Sequence, residues 1–518
     1  MTYRYLFLAL LMLVSACGQQ AGKTLVYGRG GDSVGLDPGL ETDGESFKVC
    51  DNIYETLVSF HAESTELAPG LAESWTASED GLTWTFQLRK GVTFHDGSAF
   101  DAQAVVFSLA RQFKPDHPFH NVEGAYQYWS SMSMSDIVKD VRAIDDFTVA
   151  IDLKRPNAPF LSNLAMNFCA IVSPNAVKKW GADFARHPVG TGPFQFVEWI
   201  KDDRIVLERY ANYWGMAPQL DRLIFRSIPE NSVRLIALSQ GSIDGMDNLV
   251  PDFIPSIESD ERLQLLSQAG MNVGYLAMNM DKQPFQQVAV RRAINHSINK
   301  KSLVDNLYQG LALPAVNPIP PTMWGYHEGI SGYDYNPEKA KQLLAEAGMP
   351  NGFKTTLWAM PVPRPYMPQP MKIAQAIQAD LKAVGIEAEI VTYEWGTYLD
   401  KVQRGQHDMA LLGWTGDNGD PDNFLYVLLD KSATQIPANN IAFYRSEPLH
   451  QVLIDAQQSS DQETRTALYR QAQEIVFRDA PWVPLVHAAQ TAAFNKRVLG
   501  FQLHPTGSKW FQNVQIKE

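Results

Sequence analysis

The sequence predicts an α/β protein, and three stretches carry the prediction. In residues 371–385 the apolar positions Ile373, Ile377, Leu381 and Val384 recur at helical spacing and stop at Gly385; residues 386–395 (IEAEIVTYEW) then alternate as a strand does. Met409, Ala410, Leu411 and Leu412 form an apolar run closed by Gly413, the pattern of a buried strand that stops where the backbone turns. Trp84, Phe86 and Leu88 alternate with Thr85, Gln87 and Arg89 after the turn residues Glu79, Asp80 and Gly81, as in a half-buried strand. Strands alternating with helices imply a sheet wrapped by helices. The 518 residues, 45% apolar and 19% charged, are enough for roughly three domain-sized units. A net charge of -13 with no basic run repels a phosphate backbone and sets nucleic acid aside as a partner.

Taken from the start, residues 1–16 hold one cation (Arg4), an apolar core and then Ser15 and Ala16: a secretory signal, its core shorter than the ~20 residues that span a bilayer. The following VSAC resembles the lipobox of bacterial lipoproteins, which makes Cys17 the lipidated residue and residues 17–22 a tether holding the protein to a membrane. Cys50 and Cys169 both sit in apolar stretches and read as small buried hydrophobes, with a bridge between them left open.

KTLVYGRGG is a strand ending in a glycine loop, and no Gly-Lys-Ser/Thr makes it a P-loop. The loop over residues 32–45 puts Thr42 and Gly44 just before the helix that contains Cys50, and another helix begins near Asp101. In residues 334–349 Asn336 caps a helix, Pro337 opens it and Gly348 ends it. Arg364 stands among Pro361, Pro363 and Pro365, which hold the backbone rigid and present a planar fork suited to a carboxylate. Residues 411–424 (LLGWTGDNGDPDNF) deliver Asp417, Asp420 and Asp422 to the end of the buried strand, where ligands sit in open α/β sheets. By residue type alone, Asx turns and caps remain the commoner use of such aspartates. A calcium loop fails, because Leu428 stands where a bidentate glutamate belongs. Nothing proposes an enzyme or a metal or cofactor site: no G-x-S-x-G occurs, Ser331 follows His327-Glu328 where a second histidine would be needed, and Pro118 keeps His117 and His120 off one helical face.

Residues 67–109 (LAPGLAESWTASEDGLTWTFQLRKGVTFHDGSAFDAQAVVFSL) resemble the signature of the family 5 extracytoplasmic solute-binding proteins, the peptide, nickel and opine receptors of ABC importers. HPVGTGPFQFVEW, ERYANYWGMAPQLDRLIF and DYNPEKAKQLLAEAGM continue the likeness in order, and IPPTMWGY, LWAMPVPRPYMP, VTYEWGTYL and GWTGDNGDPDNF resemble the dipeptide-binding branch. The resemblance implies the two-lobed periplasmic-binding-protein fold of class II, cluster C type, hinged by crossover strands around residues 270–279 and 484–490. Lobe I would span 23–270 plus 488–518, with an inserted subdomain at about 66–186, and lobe II 271–487. It further implies that Asp417 holds a ligand's α-ammonium and Arg364 its α-carboxylate. Trp395, Tyr366, Trp414 and Gly413 would wall the site and Thr42 would reach it from the opposite lobe. The expected protein is a monomeric, lipid-anchored receptor on the periplasmic or cell-surface side that hands short peptides, dipeptides above all, to the transmembrane subunits of an ABC permease. The same fold also serves haem, opines, metal chelates and antimicrobial peptides, and a periplasmic hydrolase is the reading from a different class.

Overall fold

A computed structural model describes residues 23–120 and 125–517. The signal segment, Cys17 and the tether lie outside the described residues.

Three sheets organise the chain. The first lobe is built on seven strands in the order Leu263–Gln268, Gln490–Asn495, Gly245–Asp247, Thr24–Arg29, Arg222–Ser227, Arg204–Arg209 and Phe194–Ile200. The amino-terminal strand lies inside this sheet, parallel to both of its neighbours. The second lobe has six strands: Ala312–Pro314, Trp482–Ala488, Asn272–Met278, Met409–Thr415, Phe353–Trp358 and Ile386–Val391. A separate antiparallel sheet of four strands, Ala72–Ala77, Thr83–Leu88, Thr148–Leu153 and Val138–Asp145, lies in the stretch where the inserted subdomain is expected.

The local signals act as their chemistry dictates. Helix Pro370–Ala383 joins the parallel strands Phe353–Trp358 and Ile386–Val391, buries Ile373, Ile377 and Leu381, and is followed by Gly385 at φ +92°. Asn336 caps helix Pro337–Glu346 by accepting from the Lys339 N–H, and Asp101 caps helix Ala102–Phe113 by accepting from the Ala104 N–H. Cys50 and Cys169 are buried free thiols.

Two boundaries differ from the sequence reading. The strand expected to stop at Leu412 runs on to Thr415, because Gly413, Trp414 and Thr415 lie opposite Gly274, Val273 and Asn272 in an unbroken antiparallel ladder. Pairing there satisfies backbone groups that a turn would leave to solvent. Trp395 opens a helix, Trp395–Gln403, instead of ending a strand, since the Glu394 side chain accepts from the Thr397 N–H and caps it.

The chain changes sheets between Gln268 and Asn272 and again between Ala488 and Gln490. The strands expected to cross therefore lie within the second sheet, and the crossings are only the short links at their ends. Asn272 ties the two links together: its Nδ2 donates to the Ala488 carbonyl at 2.8 Å and its Oδ1 accepts from the Ala488 N–H at 2.9 Å. A side chain at Gly270 would overlap the Ala488 carbonyl, so glycine is the residue that lets the two backbones approach this closely. Replacing Asn272 by alanine leaves two buried Ala488 backbone groups without partners, and urea unfolding is expected to show a loss of about 2–4 kcal/mol.

Candidate ligand-binding site

A cavity of about 860 Å³ lies between the lobes, and Thr42, Arg364, Tyr366, Trp395, Gly413, Trp414 and Asp417 all line it. Its volume falls in the range of roughly 300–1,000 Å³ usual for small-ligand sites. Phe47, Tyr128 and Phe168 stand in its wall as well, Tyr128 packed edge-on to Phe47 and stacked on Phe168.

Arg364 is presented by a tight turn in which its N–H donates to the Met367 carbonyl and the Met367 N–H donates back to the Arg364 carbonyl, at 3.1 and 2.9 Å. Its guanidinium carbon lies 4.8 Å from the centre of the Trp395 ring. That guanidinium has no hydrogen-bond or ion-pair partner among the described residues. Trp395 in turn stacks on Tyr398, whose hydroxyl donates to the Leu411 carbonyl at 2.7 Å. The aromatic support of Arg364 is thereby bonded to the strand that leads to Asp417.

The backbone that carries Arg364 rests on a pair of glycines. Gly274 and Gly413 face one another in the central ladder of the second sheet. A methyl group on Gly413 would overlap the Tyr366 ring, and one on Gly274 would come 2.9 Å from the Tyr366 carbonyl oxygen. Tyr366 lies in the groove that their missing side chains leave, its carbonyl accepting from the Tyr308 hydroxyl at 3.0 Å.

Asp417 follows that same strand. Its Oδ1 accepts from the Tyr128 hydroxyl of the inserted subdomain at 3.2 Å. The carboxyl is half-buried at the cavity wall, and burial pushes its pKa up to about 7 although Asn423 and Tyr128 donate to it. Its two neighbours are occupied elsewhere. Asp420 accepts from Arg465 Nη2 at 2.7 and 2.8 Å and from the Tyr469 hydroxyl at 3.1 Å, and Asp422 accepts from Gln457 Nε2 at 3.1 Å. They also form the Asx turns expected of loop aspartates: the Asp420 N–H donates to Asn418 Oδ1 and the Asp422 N–H to Asp420 Oδ1, both at 3.0 Å. Two of the three carboxylates thus build the loop, and the third faces the cavity.

Sequence reasoning missed Tyr128, Asn423, Phe47 and Phe168. Tyr128 sits in the five-residue helix Gln127–Ser131 and meets Asp417 across 289 residues of chain, so no local spacing could have indicated it. Asn423 was within reach, because it lies six residues past Asp417, whose N–H donates to its Oδ1 at 3.0 Å.

Two lobes joined by paired crossings, with a walled cavity between them, form the architecture of a solute-binding protein. The profile of the bacterial extracellular solute-binding proteins, family 5 (Middle), matches residues 66–435, and the chain belongs to that family. It is 41% identical to the dipeptide-binding protein of Escherichia coli over 523 residues, covering 98% of this chain and 97% of that one. It is also 40% identical over 511 residues to heme-binding protein A of Haemophilus influenzae, covering 96% and 93%. Among solved structures, the ABC transporter-associated periplasmic binding protein DppA of Helicobacter pylori, in complex with peptide STSA, superposes with a TM-score of 0.89 at 41% identity, covering 96% of this chain and 98% of that one.

The glycine groove makes a prediction of its own. Gly413→Ala forces a methyl group against Tyr366 and should destabilise the protein by about 1–3 kcal/mol in urea unfolding. Combining it with Tyr366→Ala should cost less than the sum of the two single changes, because the ring that the methyl strikes is gone.

Proposed function

We propose that this protein is the receptor of an ABC importer and that it captures short peptides, dipeptides foremost, between its lobes. The observation that carries the proposal is a charge pattern: the Asp417 carboxylate and the Arg364 guanidinium line the same cavity, and neither has an ion-pair partner among the described residues. Neither ion pairs with the other or with any described protein charge, so a cargo bearing an ammonium at one end and a carboxylate at the other would complete both. Asp417 takes the α-ammonium, Arg364 the α-carboxylate, and the spacing between them selects length. Trp395, Trp414 and Tyr366 bound the sides, and Thr42 meets the cargo from the first lobe. The dipeptide and STSA peptide of the relatives' names support the same reading.

The lobes would open about the two short links tied by Asn272, with lobe I comprising residues 23–270 plus 488–518 around an inserted subdomain of about 66–186, and lobe II residues 271–487. Closed, the receptor delivers its peptide to the transmembrane subunits of a permease; Cys17, lipidated, would keep the monomer at the membrane. The resemblance to a heme-binding protein favours a second reading in which the cavity takes haem, and hemin belongs in the same titrations.

Isothermal calorimetry with unblocked dipeptides tests the assignment. Asp417→Asn and Arg364→Ala are each expected to weaken binding by about 30- to 5,000-fold, equivalent to ~2–5 kcal/mol, with little change in thermal midpoint. N-acetylated and C-amidated dipeptides should lose affinity on the same scale with the wild-type protein. Unchanged affinity in both variants, or saturable binding of hemin but of no peptide, would remove the proposal.

The pH dependence follows from the raised carboxyl. The empty site holds a proton below pH 7 and the ammonium-filled site does not, so binding releases a proton there. Affinity should fall about tenfold for each pH unit below 7, and should fall again above about pH 8 as the peptide's own α-amino group loses its charge. Calorimetry in buffers of different ionisation enthalpy would count the released proton.

A further inference from the structure

Beside Asp417, in the first turn of helix Asp422–Leu429, lies a carboxamide that meets several neighbours at once. Asn423 is 2% exposed. Its Oδ1 accepts from the Asp417 N–H at 3.0 Å and from Trp414 Nε1 at 2.9 Å. Its Nδ2 lies 3.5 Å from Asp417 Oδ2, and 3.6 Å from the Met132 sulfur in the inserted subdomain. One side chain therefore touches the backbone and the carboxylate of Asp417, the indole of a cavity-wall tryptophan, and the opposite side of the cleft. Asparagine alone among residues of this size offers two donors and a carbonyl acceptor in one plane.

We propose that Asn423 is the positioning residue of the cargo site, aiming the Asp417 carboxylate into the cavity and setting how readily it keeps its charge. The inference rests on the peptide reading for its consequence and on geometry for its substance. The other groups facing Asp417 do not duplicate the role. Tyr128 gives one hydrogen bond from helix Gln127–Ser131. Asp43, which caps helix Gly44–Ile53 and lines the same cavity, acts on Tyr128, is another carboxylate and adds no donor. In the loop itself Asp420 is held by Arg465 and Asp422 by Gln457. Arg364 stands on the cavity wall without an ion pair to Asp417. Asn423 is thus the neighbour that holds both the backbone and the side chain of Asp417.

A merely structural asparagine and a tuning one differ in their pH signatures. Asn423→Leu removes the amide donor while keeping the branched shape of the side chain. Loss of that donor moves the proton midpoint of Asp417 upward by about one unit, so dipeptide affinity should fall about tenfold relative to wild type at pH 6 and only about twofold at pH 8. Should Asn423→Leu fail to fold, Asn423→Ser, whose hydroxyl is too short to reach Asp417, should give the same split. A carbon-13 titration of the Asp417 carboxyl in cargo-free protein, assigned by its loss in Asp417→Asn, reads the midpoint directly and should show the same upward move. An affinity loss equal at both pH values with an unmoved midpoint would overturn the proposal. If wild-type protein takes up no dipeptide, the peptide reading fails, while the cargo-free titration still decides the role of Asn423.

Discussion

The structure of the site depends on one strand pair, Asn272–Met278 against Met409–Thr415, in which Gly274 meets Gly413. The bare backbone at that point makes room for Tyr366, which fixes the turn that presents Arg364. The same strand continues into the loop that bears Asp417, and the Gly416 N–H donates to the Met271 carbonyl at 2.8 Å, binding the loop to the first crossing link. Guanidinium, carboxylate and crossing are therefore referred to one rigid element, which is how a spacing between two charges is held to within a fraction of an ångström.

The electrostatics of the cavity follow from incompleteness. Burying a charge without a partner is unfavourable, and the structure answers in two ways: burial raises the pKa of Asp417 to about 7, and Trp395 provides a π face for Arg364. Neither answer equals an ion pair. On the proposed reading, a zwitterionic cargo would supply both counter-charges at once. Of the other two aspartates, Asp420 is bonded by Arg465 and Tyr469 and Asp422 by Gln457, and neither lines the cavity.

The segment that carries Tyr128 and Asn163 packs against the loop of Asp417. Tyr128 bonds Asp417, Asn163 Oδ1 accepts from Asn418 Nδ2 at 2.9 Å, and the Ala158 N–H donates to the Gln457 carbonyl at 2.7 Å, so the cargo loop is also the surface that the subdomain grips. A continuous buried apolar cluster includes Phe86, Val149 and Phe168 of that subdomain together with Tyr275, Leu411 and Trp482 of the second lobe. The core of the first lobe, around Tyr27, Phe225 and Phe494, is separate.

Much of this was legible in the sequence. Periodicity and capping placed the helices that follow Asp101, Asn336 and Gln369, since those signals are carried by residues within a few positions of one another. The proline-framed arginine and the aspartate after a buried strand could be singled out for the same reason, and likeness along the chain supplied the family. Three things were decided only by tertiary structure. The strand over Asn272–Met278 prolonged its partner to Thr415, since ladder pairing outweighs a glycine's preference for a turn. Asp417, and neither Asp420 nor Asp422, was left facing the cavity because Arg465 and Gln457 come from helices more than thirty residues away. Tyr128 reached the site from the short helix Gln127–Ser131, 289 residues away along the chain. Local chemistry determines elements and candidate groups; which of those groups remain unpaired is settled by neighbours distant in sequence, and an unpaired charge is what makes a binding site.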